Sequence, residues 1–311
     1  MQFQSFVSFK FVALFTSALF LGVGCGNGTE GPPPADPLTF SLATYNVQNL
    51  FDSENDAAHQ DDLPSETKVA QKLTLLGKAI RLLDADVLAL QEVENLSILQ
   101  RLNQEELGNL GYDEIRLIEG NDVRGIDVAI LSRLPIKSLI SHRHDTFPGV
   151  DDPGTNYGFS RDCLEVYLDL SADRSAVLLV NHLRASSVNN PEEGEPRRQA
   201  QAQYVGQLAK QILDYDSSTR LAIIGDLNDT PDSRALKLIR GENPQLADLL
   251  SQYGVGEHHT TRWTDAKQFD YILASATLEA ERVEDSIHAE HDDVYSDASD
   301  HFPVIAKFTV R

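Results

Sequence analysis

The chain has 311 residues, with 48 acidic side chains against 26 basic ones and a formal net charge of −22. That surplus opposes long-range attraction of nucleic acid to the surface at large, although divalent cations and a local basic strip can reverse the field inside a cleft. The two cysteines, Cys25 and Cys163, exclude a disulfide framework and zinc held by thiolates, so stability must come from a sizeable core.

Residues 1–24 carry no Asp or Glu and one Lys, Lys10, and end in the apolar run FVALFTSALFLGVG. The run is too short to span a bilayer comfortably and closes on small residues, which reads as an export signal. GVGC resembles a bacterial lipobox, with Leu21 one place further from Cys25 than the usual pattern puts it. Lipidation of Cys25 and plain cleavage both place the protein outside the cytosol, as a cell-envelope lipoprotein or a secreted protein. Residues 25–37 form a Gly/Pro-rich linker that cannot build a core. Residues 38–311 are then one domain.

The body opens with LTFSLATYNVQNL, a strand with Asn46 toward its end. Val69, Leu73, Leu76, Ile80 and Leu83 recur at spacings of four and three and predict a helix. DVLALQEVEN reads as a buried strand ending at Glu92, and RGIDVAILSRLPI as another. The second half repeats this order. VLLVNHL is a strand ending at His182, RRQAQAQYVGQLAKQIL carries Val205, Leu208 and Ile212 on one helical face, and LAIIGDLND is the next strand. A helix is expected to start at Thr230 and Pro231. QFDYILASATL and SDHFPVIAKFTV supply two further strands, with Asp270 before the first and Asp300 and His301 at the mouth of the second. Polar connections at 53–65, 142–160, 184–196 and 284–300 are candidate cleft walls, and polar groups at matching strand ends suit a site at one edge of packed sheets.

Glu92, Asp226, Asn228 and Asp300 offer the oxygen donors that Mg²⁺, Mn²⁺ or Ca²⁺ prefer. Asp226 and Asn228, two apart at a strand end, are expected to point to the same side. A polar turn with a helix cap explains them equally well at this stage. Glu92 needs a solvent opening, a partner or a metal, and a salt bridge would meet that need too. His182 reads as a hydrogen-bonded structural residue or a site residue. His301 has Asp300 beside it and Asp270 earlier in the chain, a pairing that orients an imidazole. No G-x-S-x-G elbow occurs and Ser299 has no such setting, so activated water fits hydrolysis better than a serine nucleophile. Arg124, Arg161, Arg184, Arg197 and Arg198 are phosphate clamps or surface pairs, and Trp263, Tyr157 and Phe159 either stack on a ligand or pack.

The ordered set TYNVQNLFD, LQEVEN, RGIDVAILSR, VNHLRAS, GDLNDTP, FDYILAS and SDHFPV resembles the endonuclease/exonuclease/phosphatase family of metal-dependent phosphoesterases, closest to its secreted or lipoprotein bacterial nuclease-like branch. The resemblance implies an α/β fold, a four-layer αββα sandwich of two mixed sheets facing each other with helices outside. It implies metal binding by Glu92, Asp300 and Asn46, with Mg²⁺ first and Mn²⁺ or Ca²⁺ as alternatives. Asp226 would orient or deprotonate the attacking water, Asn228 bind phosphate oxygen, Asp270 orient His301, and His182 stabilise the developing oxyanion. Arg124, Asp127 and Arg161, with Arg184, would position substrate. The implied activity is divalent-metal-dependent phosphodiester hydrolysis by a nuclease on DNA or RNA. A phosphatase or a sphingomyelinase-like or phosphoinositide-type lipid phosphodiesterase is the nearest alternative, and a non-catalytic surface binding protein a more distant one. Nucleic acid is the expected substrate, the membrane a partner through Cys25, and no obligate protein partner is implied.

Overall fold

Aliphatic runs that alternate in facing direction build the framework, and the computed structural model describes it for residues 37–185, 191–241 and 246–310, with backbone alone at 191–193. The expected export signal, Cys25 and nearly all of the linker lie outside those residues. The first half contributes β1 (Leu38–Leu50), α1 (Glu66–Leu83), β2 (Val87–Val93), α2 (Leu96–Leu102), β3 (Glu114–Leu117), β4 (Asp127–Ser132) and β5 (Ile136–Ser141). A hairpin of β6 (Thr146–Pro148) and β7 (Asn156–Gly158) leads to β8 (Cys163–Ser171) and β9 (Arg174–His182). Then come α3 (Pro191–Tyr215), β10 (Arg220–Asp226), α4 (Arg234–Arg240), β11 (Leu246–Asp248), α5 (Leu249–Tyr253) and β12 (Asp270–Ser275). The chain finishes with α6 (Ala276–Ala280), β13 (His288–Ala289), α7 (Asp293–Ala298) and β14 (Val304–Val310).

Two six-stranded sheets result, ordered β13-β14-β1-β2-β4-β3 and β11-β12-β10-β9-β8-β5. Each is mixed in the same way. A central parallel pair, β1 with β2 and β10 with β9, is flanked by antiparallel neighbours. Leu42, Val87, Ala89, Val128 and Ile130 of one sheet pack against Leu178, Val180, Ala222, Ile224 and Ile272 of the other in a shared core. The alternate residues face outward: Ala43, Tyr45, Leu88 and Leu90 meet α1, while Leu179, Leu221, Ile223 and Leu273 meet α3 and α4. This is the expected αββα layering, and the two halves repeat each other as the sequence order suggests.

The α1 stripe of Val69, Leu73, Leu76, Ile80 and Leu83 is buried as expected. Asp84 ends the helix in the left-handed conformation, its N–H donating to the Ile80 carbonyl at 3.0 Å. Truncating Leu76 to Ala would cost roughly 2–5 kcal/mol, because the side chain is fully buried in the cluster that holds Tyr45, Leu88 and Leu90. Two element boundaries differ from expectation. Thr230 and Pro231 do not open a helix; they form a turn, and α4 begins at Arg234 behind Ser233, whose hydroxyl accepts from the Leu236 N–H. The strand expected over QFDYILASATL stops at Ser275, which caps the short α6 by accepting from Leu278.

Candidate active site

Inward-facing positions recur every second residue, so the phase that buries Leu42, Leu178 with Val180, Ala222 with Ile224, and Ile272 with Ala274 between the sheets also fixes Asn46, His182, Asp226 and Asp270. Because β1 and β2 are parallel, and β9 and β10 are parallel, all four bring their C-terminal ends to one edge. Pairing register sets Asp226 opposite His182 on one side and Asp270 on the other. Gly225 makes that register possible. At φ 134°, a Cβ there would lie 1.9 Å from the Asn181 carbonyl oxygen.

Glu92 arrives differently. Strict alternation would send it outward with Leu88 and Leu90. A register shift between Gln91 and Val93, with φ 66° at Glu92, turns it back toward the site. Its carboxylate accepts from Asn46 Nδ2 at 3.2 Å and from the Asn49 N–H at 3.0 Å. Gln48 and Asn49 are themselves left-handed, at φ 53° and 54°, so the backbone around this carboxylate is held in sparsely populated conformations.

Asn46 Nδ2 also donates to Asp226 Oδ2 at 3.0 Å, and the Gln48 N–H fixes the amide by donating to Asn46 Oδ1 at 3.0 Å. His182 Nε2 lies 3.6 Å from Asp226 Oδ2 and 3.9 Å from Glu92 Oε1. His301 Nδ1 donates to Asp270 Oδ2 at 2.8 Å, which directs Nε2 to within 3.9 Å of Asp226 Oδ2. Ser299 Oγ donates to the Asn46 carbonyl at 2.7 Å and accepts from the His301 N–H at 3.1 Å. Its hydroxyl is committed to the backbone, so Ser299 is not poised as a nucleophile.

Burial and the neighbouring carboxylates act against each other on these groups. Burial disfavours a charged His301, but the Asp270 and Asp226 carboxylates outweigh it and raise the imidazole to about 10, so it is a cation at neutral pH. Burial, helped by the Arg161 charge, holds His182 well below the ordinary imidazole range, so it is neutral. Burial and then Asp270 push Asp226 upward. One edge of the sandwich thus holds a cationic imidazole, a neutral one and closely spaced carboxylates.

The donor set fits a divalent cation. Ligand atoms of Asp226, Asp270 and His301 lie within 4.8 Å of one another, but a protonated His301 offers no lone pair, which leaves the oxygens of Glu92 and its neighbours to the cation. Asp270 Oδ1, His182 Nδ1 and Asn49 Oδ1 are buried without a hydrogen-bond partner. Carboxylate and amide oxygens of this kind are the preferred surroundings of hard cations.

Other expected residues are placed less directly. Asn228 is not on the strand, which ends at Asp226; it is left-handed at φ 54°, so the two-residue spacing does not set its direction. Its N–H donates to Asp226 Oδ1 at 2.8 Å, and its Nδ2 to the Leu183 carbonyl at 3.0 Å. Asp300 accepts from Trp263 Nε1 at 3.3 Å, and Trp263, 41% exposed, stands edge-on to His301. Arg161 is buried and ion-paired to Asp122 at 2.9 Å, and Arg124 Nε reaches the same carboxylate at 3.1 Å. Asp127 accepts from the Gly120 N–H at 2.7 Å, and burial raises its carboxyl to about 7. Arg184, half-buried, follows His182 and donates its N–H to Gln201. Arg197 donates to the Gly158 and Phe159 carbonyls, while Arg198 pairs with Asp229. Phe159 and Tyr157 pack in or against the outer core of the second sheet.

Lys72 and Asp122 escape the sequence reading. Lys72 Nζ donates to the Ala298 carbonyl at 2.6 Å, and burial lowers it to about 8 against the pull of Asp300 and Glu92. Its signal was a lysine three residues after Val69 and four before Leu76, within the apolar stripe. Asp122 had no signal of its own, since a loop brings it to Arg161.

Facing sheets thus carry this acid–imidazole group at one edge. The chain belongs to the endonuclease/exonuclease/phosphatase family, whose model matches residues 41–246. Members of the family are generally phosphoesterases that depend on divalent metal. No curated protein matches the sequence significantly. Among solved structures, a family protein from Bacteroides thetaiotaomicron is similar at 16% identity and TM-score 0.57, over 89% of this chain and 99% of that one. Beta toxin of Staphylococcus aureus is similar at 17% and 0.59, over 86% and 99%. Truncated TDP2 of Caenorhabditis elegans is similar at 16% and 0.55, over 88% and 98%. At these identities the likeness is one of fold.

Proposed function

We propose that the protein is an exported, Mg²⁺-dependent phosphodiester hydrolase, a nuclease acting on DNA or RNA outside the cytoplasm. The observation that carries the reading is Asp226 set among Asn46, His182 and His301, with Glu92 joined to it through one amide. Asp226, raised by burial and Asp270, is suited to take a proton from water as the oxygen attacks phosphorus opposite the leaving oxygen. His301, cationic and oriented by Asp270, donates from Nε2 toward the phosphoryl oxygens, and neutral His182 can donate a second hydrogen bond. Glu92, Asn46 and Asp300 would hold the cation, which when bound supplies positive charge against the phosphoryl oxygens. Asn228 shapes the turn that seats Asp226.

The exposed face of Trp263 beside Asp300 and His301 supports stacking of a nucleobase. The arginines support local positioning more than a continuous basic track, since Arg124 and Arg161 share Asp122 and Arg198 pairs with Asp229. Short or single-stranded substrates therefore suit the cleft better than long duplexes. Cys25 as a lipid anchor would hold the enzyme at the envelope, and the mass of the mature N-terminus tests that directly.

The deciding experiment incubates purified protein and Mg²⁺ with single-stranded DNA, duplex DNA, RNA, phosphomonoesters and phospholipids. Release of nucleotides from single strands ahead of every other substrate is expected. Rapid cleavage of a phospholipid headgroup or a monoester, with nucleic acids untouched, overturns the nuclease assignment.

A further inference from the structure

Outside the catalytic group, Glu257, His259 and His291 each offer a ligand atom, and the three atoms lie within 4.8 Å of one another. They come from two segments that flank the start of β14. On one side the Phe302 N–H donates to the Thr260 carbonyl at 2.7 Å, and Thr261 bridges to His301. On the other the Glu290 N–H donates to the Pro303 carbonyl at 2.9 Å. Both imidazoles rest edge-on against Phe302, His291 at 4.6 Å and His259 at 5.7 Å between ring centroids. The two rings stack on each other at 4.2 Å. Packing therefore holds the two rings close together, and a turn of one ring is needed to aim both in-plane lone pairs at one ion.

Hydrogen bonding also selects the tautomer. His291 Nε2 lies 2.8 Å from the His259 carbonyl oxygen, which only accepts, so Nε2 carries the proton and Nδ1 keeps its lone pair. An imidazole whose second nitrogen donates to a backbone carbonyl is the recurring arrangement of metal-bound histidine. His259 Nδ1 and Glu257 Oε2 are 3.1 Å apart, close to the separation of about 3.4 Å between two donors on a tetrahedral ion with bonds near 2.05 Å. Two imidazoles and one carboxylate suit zinc-type transition metals, in contrast to the oxygen-rich catalytic group.

We propose that Glu257, His259 and His291 form a second, structural site for a divalent transition metal of the Zn²⁺ type. The ion staples the segment leading to Thr261 and Trp263 to the segment leading into α7 and Asp300. It thereby braces both walls around His301 without taking part in the reaction. The site does not depend on which phosphoester the enzyme cleaves.

The test uses full-length protein stripped with chelator and dialysed into excess Mg²⁺, then titrated with Co²⁺ and read by visible absorption. One equivalent giving the intense band of tetrahedral Co²⁺, displaced by Zn²⁺, is expected. The band disappears in His291→Ala and in His259→Gln, and persists in Glu92→Ala, which separates this site from the catalytic one. Zn²⁺ should also raise the melting temperature of stripped wild-type protein. The proposal is overturned if wild-type protein takes up no Co²⁺ under excess Mg²⁺, if the band survives in both histidine variants, or if Zn²⁺ leaves wild-type melting unmoved.

Discussion

Asn46 joins the two sheets chemically as well as spatially, since one side-chain nitrogen donates to Glu92 of the first sheet and Asp226 of the second. Replacing it by Ala leaves two carboxylates facing each other without the donor between them. Asn46→Ala and Asp226→Asn are each expected to lower kcat by about 10²–10⁴-fold while circular dichroism stays unchanged. Retention of full kcat by either variant would place the chemistry elsewhere. Asp127 makes a different prediction, about stability. Burial raises its folded-state carboxyl to about 7 from 3.8, so the folded protein holds a proton that the unfolded chain has released. The group's favourable contribution is complete below its unfolded value and is lost as pH rises to about 7. Asp127→Asn keeps the oxygen that accepts from Gly120 and removes the buried charge. Its stability relative to wild type, from urea unfolding, should grow between pH ~4 and ~7 by roughly 1–3 kcal/mol and then level off. A pH-independent difference would show that Asp127 ionises freely. At this scale Asp226, His182 and His301 were legible because each terminates or adjoins an aliphatic strand. Lys72, Asp122 and Ser299 took their roles from contacts across 226, 39 and 253 positions of chain, respectively, which no local pattern records.

The strands carry the site through two backbone exceptions, one at Glu92 and one at Gly225. Alternation alone predicts Glu92 on the helix-covered face, and only the irregular pairing around Gln91 and Val93 turns it inward. Gly225 sits where any Cβ would meet the Asn181 carbonyl, a backbone atom that no rotamer change can move. Gly225→Ala is therefore expected to cost more than about 3 kcal/mol and to abolish activity by separating β9 from β10. An alanine variant with an unchanged urea midpoint would contradict that reading of the register. The aliphatic strands β1, β2, β9, β10 and β14 were readable from composition, as was α1 from its spacing. The short strands and the start of α4 were not. Thr230 and Pro231 look like a helix start, yet it is the Ser233 hydroxyl that finds the free N–H at Leu236.

For the molecule as a whole, two half-domains with the same strand order each supply a parallel pair, and the candidate catalytic group forms where the ends of both pairs meet. The two-half organisation was legible because the sequence repeats strand, helix and strand, whereas the layer order was carried by the resemblance of its ordered motifs to the family. The exterior, at a net charge of −22, works against a polyanionic substrate. At constant Mg²⁺, kcat/KM on an oligonucleotide should rise or hold level between about 50 and 200 mM monovalent salt, because screening weakens repulsion. A steep fall would reveal a basic track that outweighs the surface. The central measurement is hydrolysis of a defined oligonucleotide by chelator-treated protein before and after Mg²⁺ is restored, with Glu92→Gln and His301→Asn in parallel. Cleavage that appears with Mg²⁺ in wild type and falls by about 10²-fold or more in both variants is the predicted result. Cleavage that survives chelation, or that persists undiminished in both variants, would contradict the assignment of these strand ends as the catalytic centre.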